Sequence, residues 1–426
     1  MNTCEFVLYR DMEHQDLFDS MAGLLDEKTD IPLDAYACAG RLLELAAKYG
    51  FEGNLWHCFL AYCLASHENA YSTACEIVGP VHGTINALAA HDFSKMKELF
   101  EKDIKSLPGG IWQELSEFGA AERTGKVFNR RIRDRIITLT KDLEKAESAE
   151  AFQALVTGFY KEFGVGRFGL HKAFRIEELR ETPEGRRTRI EPITSIDHVY
   201  LKDLVGYESQ KKKLTDNTEA FIEGREANNV LLYGDAGTGK SSSVKAILNQ
   251  YYDQGLRMIE VYKHQFFCLS DVLEEIKDRN YKFIIYMDDL SFEDFEIEYK
   301  YLKAIIEGGL GKKPSNVLIY ATSNRRHLIR EKFSDKKEIL DDLHGNDTVQ
   351  EKLSLVARFG VTIYFGAPDK MEFQQIVKIL AKQRGLEIPE EELYAEANKW
   401  ELYHGGFSGR TAAQFITHLL GKKPEK

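Results

Sequence analysis

The run Gly234-Asp235-Ala236-Gly237-Thr238-Gly239-Lys240-Ser241 puts glycines, a lysine and a hydroxyl in the order G-x-x-x-x-G-K-[ST], a pattern whose chemistry is the grip of phosphate. Backbone N–H groups can wrap phosphate oxygens closely only where no side chains intervene, and a helix N-terminus adds a dipole that favours negative charge. Lys240 is then placed to reach the outer phosphates, Ser241 to ligate Mg2+, and Ser242 to open the helix that follows. Further along, an apolar run ends in Asp288 and Asp289. The first acid suits the metal; the second suits the orientation or activation of an attacking water. The next apolar run ends at Ser323-Asn324, which sets a neutral amide beside the terminal phosphate if the two strands are neighbours. Arg358 precedes a strand-like run and Arg410 opens a helix-like one; each could stabilise charge on a phosphoryl group in transfer.

These residues need a scaffold. Short β-rich runs recur at 229–233, 257–261, 282–287, 317–322 and 361–365, separated by helical stretches. Alternation of this kind predicts βαβ units and a parallel sheet of five strands covered on both faces. Beyond Asp369 the pattern is helical, punctuated by Gly385 and Gly405-Gly406, which predicts a small cap. From Ala35 to about Arg180 the apolar residues recur at helical spacing, whereas TPEGRRTRIEP (182–192) breaks the periodicity. The expected division is a mostly α-helical domain over 1–181, a linker over 182–196, an α/β nucleotide-binding core over 197–367 and a helical lid over 368–426.

Composition sets the outer bounds. The 426 residues are 43% hydrophobic and 29% charged, which fits a folded chain of two or three domains and not a disordered one. No apolar run reaches the roughly 18 residues of a spanning helix, and the acidic first 21 residues lack the pattern of a secretory leader, so a cytoplasmic location is expected. The net charge of −11 argues against attraction of the whole chain to nucleic acid or anionic lipid, although local patches remain available. Six cysteines are too few for a disulfide scaffold and read as buried or free thiols.

In its order of phosphate loop, acidic strand, polar Asn324, Arg358 and Arg410, the stretch from about 195 to 426 resembles an AAA+ ATPase module. Leu201 to Glu208 resembles the segment that folds over adenine in that superfamily, and the resemblance implies that Leu204, Val205 and Gly206 line the base pocket. It also implies ATP and Mg2+ as ligands, a sensor role for Asn324 and Arg410, and a finger role for Arg358 in a neighbouring subunit's site, hence a homo-oligomeric ring or filament. Phrases such as GRFGLHKAFR, ANNVLLYGDAGTGKSS, DDLSFED and IYATSNRRHLI resemble an uncharacterised bacterial family of AAA+ ATP-binding proteins. One departure is that the second acid, usually Glu, is here Asp289. It is one methylene shorter, and a displacement of about 1 Å can cost on the order of a hundredfold in rate. Slow or switch-like hydrolysis is therefore plausible.

Other signals are weaker. Gly164-Val165-Gly166-Arg167-Phe168-Gly169 matches G-x-G-x-x-G but follows a helical stretch, so a helix-to-helix turn is expected in place of a dinucleotide site. His57, Cys58, Cys63 and His67 lack the spacing of a zinc site. Asn398-Lys399-Trp400-Glu401 only partly matches a guanine-reading motif and falls in the helical cap. Arg130, Arg131, Arg133 and Arg135, with Arg186, Arg187 and Arg189, could touch phosphates but form a solvated or ion-paired face more often. The expected activity is ATP hydrolysis coupled to remodelling or loading of a protein client or a nucleic acid. The rivals are an ATP-dependent switch or scaffold, including a DNA-associated loader, and a small-molecule phosphotransferase.

Overall fold

The computed structural model describes residues 3–26, 35–119, 129–178, 188–194, 196–292, 298–307, 314–324, 328 and 355–421. The chain divides into two compact units, Met1–His171 and Lys172–Lys426.

The first unit is helical, as expected. Its central helix, Leu55–Ser66, buries Leu55, Trp56 and every residue from Cys58 to Ala65, because nearly every side chain is apolar or small. Asn54 caps it by accepting from the backbone N–H groups of Trp56 and His57. Trp56 is fully buried and its indole N–H donates to Leu99 O. The N-terminal segment is tied down by Asp92 on the helix Thr84–Glu101. The buried carboxylate accepts from the backbone N–H groups of Val7, Leu8 and Tyr9, which offsets the burial of its charge. The G-x-G-x-x-G stretch lies at the junction of the helices Ala149–Phe163 and Gly166–Leu170, the turn its context predicts. Arg135 stacks over Phe163 and Arg133 pairs with Asp134, so part of the basic run is engaged within the unit.

The second unit is built on a seven-stranded sheet: β1 (Ala173–Glu178), β2 (Thr188–Pro192), β3 (Val230–Gly234), β4 (Leu256–Glu260), β5 (Lys282–Met287), β6 (Val317–Ser323) and β7 (Val361–Phe365). The order is β2-β1-β4-β5-β6-β3-β7. Every neighbouring pair is parallel except β1 with β2. The five expected strands are present, and the count of five is corrected to seven. Ala173, Phe174 and Ile176 are buried while Arg175, Glu177 and Glu178 are exposed, a strand at the place where the helical domain was expected to end. Residues 188–192, expected in the linker, form the antiparallel edge, where Ile190 is buried and Arg189 pairs with Glu191 at 2.8 Å. The division between the compact units accordingly falls at 171/172, ahead of the expected boundary at 181/182.

Three helices, Lys370–Gln383, Glu390–Tyr403 and Gly409–Gly421, enclose a separate small core around Phe373, Val377, Ala397 and Phe415. Among the described residues no helix is long and apolar enough to cross a membrane.

Candidate functional site

Parallel pairing brings the carboxyl ends of β3, β5 and β6 to one edge of the sheet. Met287 pairs with Ala321 and Tyr233 with Ser323, so the expected adjacency of the two acidic and polar strand ends holds. From β3 the chain continues to β4 on one side of the sheet, while β7 flanks β3 on the other. Such a switch point opens a crevice beyond the strand ends. The crevice here is a cleft of about 660 Å3, within the usual size of a small-molecule site.

The phosphate loop forms its floor. Gly234 has φ +132° and lies so close to β7 that a Cβ would stand 2.1 Å from Phe365 O. Only glycine fits there. Asp235 N donates to Phe365 O at 2.9 Å, and Asp235 Oδ2 accepts from Ala367 N at 2.7 Å, fastening the loop to the end of β7. Thr238 turns its hydroxyl onto Asp235 O at 2.8 Å. Ala236, Gly237 (φ +75°) and Gly239 (φ +94°) complete the turn into the helix Lys240–Tyr251. No side chain caps that helix, which leaves its first amides suited to an anion.

Lys240 Nζ donates to Gly234 O at 3.0 Å and to Asp235 O at 2.6 Å. Burial lowers the ammonium below the ordinary lysine value, opposed by the carboxylates of Asp235, Asp289 and Asp288. Ser241 Oγ donates to Asp288 Oδ1 at 2.7 Å, and Thr322 Oγ1 donates to the same oxygen at 2.5 Å. Burial pushes the Asp288 carboxyl up, but the hydroxyls of Thr322 and Ser241 outweigh it and hold it below the usual carboxylate value. One hydroxyl and one carboxylate suit Mg2+, which keeps several waters and takes its remaining ligands from phosphate. Among the described residues no group of three His, Cys, Asp or Glu side chains offers a rival metal site. His57 instead meets Glu144, and His67 meets Leu8 O.

Asp289 sits at φ +49°, a left-handed backbone rare for a residue with a side chain. Its N–H donates to Thr322 Oγ1 at 2.9 Å, and its Oδ1 accepts from Asn324 Nδ2 at 2.8 Å. The turn thereby aims the short carboxylate at the amide predicted to share its task. Thr322 escaped the sequence reading. It lies two residues before Asn324, where the period of a strand returns to the same face, and that spacing was the available signal.

The cap supplies the facing wall through Ile376, Leu380, Gly409, Arg410 and Ala413. Arg410 N donates to Gly237 O at 3.2 Å. A Cβ on Gly237 would meet Ser408 Oγ at 2.9 Å and Arg410 Cβ at 3.1 Å, so loop and cap fit only around glycine. Gly237→Ala is expected to cost about 1–2 kcal/mol from crowding and positive φ, read as a melting temperature about 3–6 °C lower in thermal denaturation. An unchanged melting temperature would mean that the cap yields freely at this contact.

Leu204, Val205 and Gly206, expected against the base, are among the residues lining the cleft. Two residues missed in the sequence pin this segment. Tyr207, at φ +59°, donates its hydroxyl to Gly366 O at 2.7 Å, and Lys211 donates to Leu204 O at 2.8 Å. Both bonds reach carbonyls that no motif announces. Arg358 lies outside the cleft, in the turn ahead of β7, with its N–H on Leu355 O at 3.3 Å.

A family model described as "Protein of unknown function (DUF815)" matches residues 171–423, beginning one residue before the second compact unit. No curated protein matches the chain. Among solved structures, the Holliday junction branch migration motor RuvB of Thermotoga maritima is 17% identical with a TM-score of 0.36, covering 52% of this chain and 64% of that one. A point mutant of the same motor gives 18% and 0.38 over the same shares. The FIGL-1 AAA domain in complex with ADP gives 17% and 0.36, covering 52% of this chain and 73% of that one. The chain thus spans 64% of the length of the RuvB structures it matches.

Proposed function

The chain belongs to the DUF815 family of proteins of unknown function, and from that premise we propose that it is an AAA+ ATPase that binds Mg·ATP between the α/β core and the helical cap. The observation that carries this reading is the convergence of Lys240, Ser241, Asp288, Asp289 and Asn324 on one cleft. Lys240 exchanges its two loop carbonyls for phosphate oxygens. Ser241 and Asp288 hold the metal, which supplies charge neutralisation for the transferring phosphoryl group. Asp289, oriented by Asn324, positions the attacking water and accepts its proton. Arg410 contacts the outer phosphate from the cap, and Leu204, Val205 and Gly206 pack on the adenine.

Arg358, outside its own chain's cleft, acts on the site of a neighbouring copy. The protein is then a homo-oligomer when loaded, and the helical first unit carries nucleotide state to a protein client or a nucleic acid. A slower, switch-like cycle is favoured by one observation: the short Asp289 carboxylate is tied to Asn324 by a left-handed turn, a geometry suited to holding ATP between turnovers. Complementation tests the reading. Lys240→Ala subunits keep Arg358, and Arg358→Ala subunits keep an intact cleft, so an equal mixture should release phosphate at least tenfold faster than either variant alone. A mixture no faster than its components, with wild-type protein active in the same assay, would remove the trans role of Arg358.

A further inference from the structure

One buried polar atom next to the cleft-lining Asp288 has no hydrogen-bond partner. Tyr286 lies on β5 two residues before Asp288, so the pleat turns both side chains to the same face. It is 2% exposed, and its buried hydroxyl forms no hydrogen bond of good geometry, although it already lies near enough to Asp288, Ser241 and Thr322 to feel all three. Other buried tyrosines of this chain are satisfied: Tyr9 with Tyr160, Tyr71 with Thr157, and Tyr320 with Thr218. A phenylalanine would fill the same space with nothing to satisfy, and the rest of the strand between Lys282 and Tyr286 is apolar. An unpaired buried hydroxyl is costly and rare, which points to a state in which it is paired.

Asp288 offers that state. Both of its hydroxyl donors, Ser241 and Thr322, converge on Oδ1, while a carboxylate can accept about four hydrogen bonds. A divalent cation attracts the Ser241 oxygen and the carboxylate alike, and this changes what Asp288 needs from its surroundings. We propose that Tyr286 is a positioning residue of the metal side of the site: its hydroxyl donates to the Asp288 carboxylate when the cation and nucleotide are bound, fixing the orientation in which Asp288 faces the metal. The inference rests on the phosphate-loop reading of the cleft. It assigns no contact between Tyr286 and the nucleotide.

The test is Tyr286→Phe in the full chain, with Mn2+ binding followed by electron paramagnetic resonance in the presence of ADP. Mn2+ affinity is expected to fall about tenfold, as for loss of an outer-shell partner. ADP affinity without metal should stay within about twofold, and the melting temperature of the ligand-free variant should hold or rise, since the unpaired hydroxyl is gone. That opposition of sign is one a packing role would not produce. Unchanged Mn2+ affinity would overturn the proposal, and so would an equal loss of metal-free ADP binding with a lowered melting temperature. Should the variant fold poorly, Tyr286→Phe is compared within an Asp288→Asn background. No further loss of Mn2+ affinity is expected there, and a full additive loss would overturn the coupling. Wild-type protein that binds neither Mn2+ nor ADP would overturn the reading of the cleft and this inference with it, whereas wild-type binding matched by Tyr286→Phe removes the tyrosine's role alone.

Discussion

Lys240→Ala abolishes nucleotide binding in the expected result, with affinity for Mg·ATP falling on the order of a thousandfold. The magnitude follows from the state in which the lysine waits. Lys240 is 6% exposed, its ammonium is depressed chiefly by burial, and its hydrogen bonds run to two loop carbonyls. A triphosphate replaces neutral acceptors with anionic ones in a partly dry cleft, where a charge-assisted bond is worth roughly twice a neutral one. Truncating one member of such a buried charged pair costs about 2–5 kcal/mol, and about 4 kcal/mol is close to three decades of affinity. Calorimetric titration of ATP with Mg2+ reads the change, and thermal denaturation separates it from damage to the loop, whose Gly234 and Asp235 carbonyls lose their donor. Binding within about threefold of wild type in a folded variant would sink the site assignment.

That the loop could be found in the sequence at all reflects its chemistry being contiguous: eight successive residues carry the glycines, the lysine and the hydroxyl. Strands β3 to β6 were legible for a related reason. Strands buried on both faces read as unbroken apolar runs, and the observed bounds of β5 equal those expected; β7, at the sheet edge, keeps its expected bounds but alternates, with Thr362 and Tyr364 exposed and Ile363 and Phe365 buried. The outer pair was not legible. Residues 173–178 include the exposed Arg175, Glu177 and Glu178, and 188–192 sit beside a stretch rich in arginine, proline and glycine; only the pairing of β1 with β4, and of β2 with β1, gives them strand identity. Site residues divide in the same way. Asp288, Asp289 and Asn324 end apolar runs and so declare themselves, whereas Thr322, Tyr207 and Lys211 act on groups 34, 159 and 7 residues away, and Tyr286 is concealed as one more residue of an apolar strand. Spacing locates groups that meet a ligand, and packing alone locates those that hold the groups in place.

Asp289→Asn separates binding from chemistry and carries the second large effect. The substitution keeps shape and the left-handed position, which asparagine tolerates as well as aspartate, so Thr322 keeps its bond to the backbone N–H of residue 289. It removes the charge that would take a proton from water. General-base assistance is worth about 10²–10⁴-fold, and the short reach of aspartate argues for the lower half of that range, since a group misplaced by about 1 Å has already lost part of its advantage. Phosphate release at saturating ATP should therefore fall about 100- to 1000-fold while ATP affinity stays within about threefold, because Lys240, Ser241 and Asp288 are untouched. Single-turnover measurement at saturation isolates the chemical step from binding. A turnover rate within threefold of wild type would show that Asp289 is not the base, and the pairing with Asn324 at 2.8 Å would then be a structural brace for the end of β5, leaving the water to be positioned from elsewhere in the cleft.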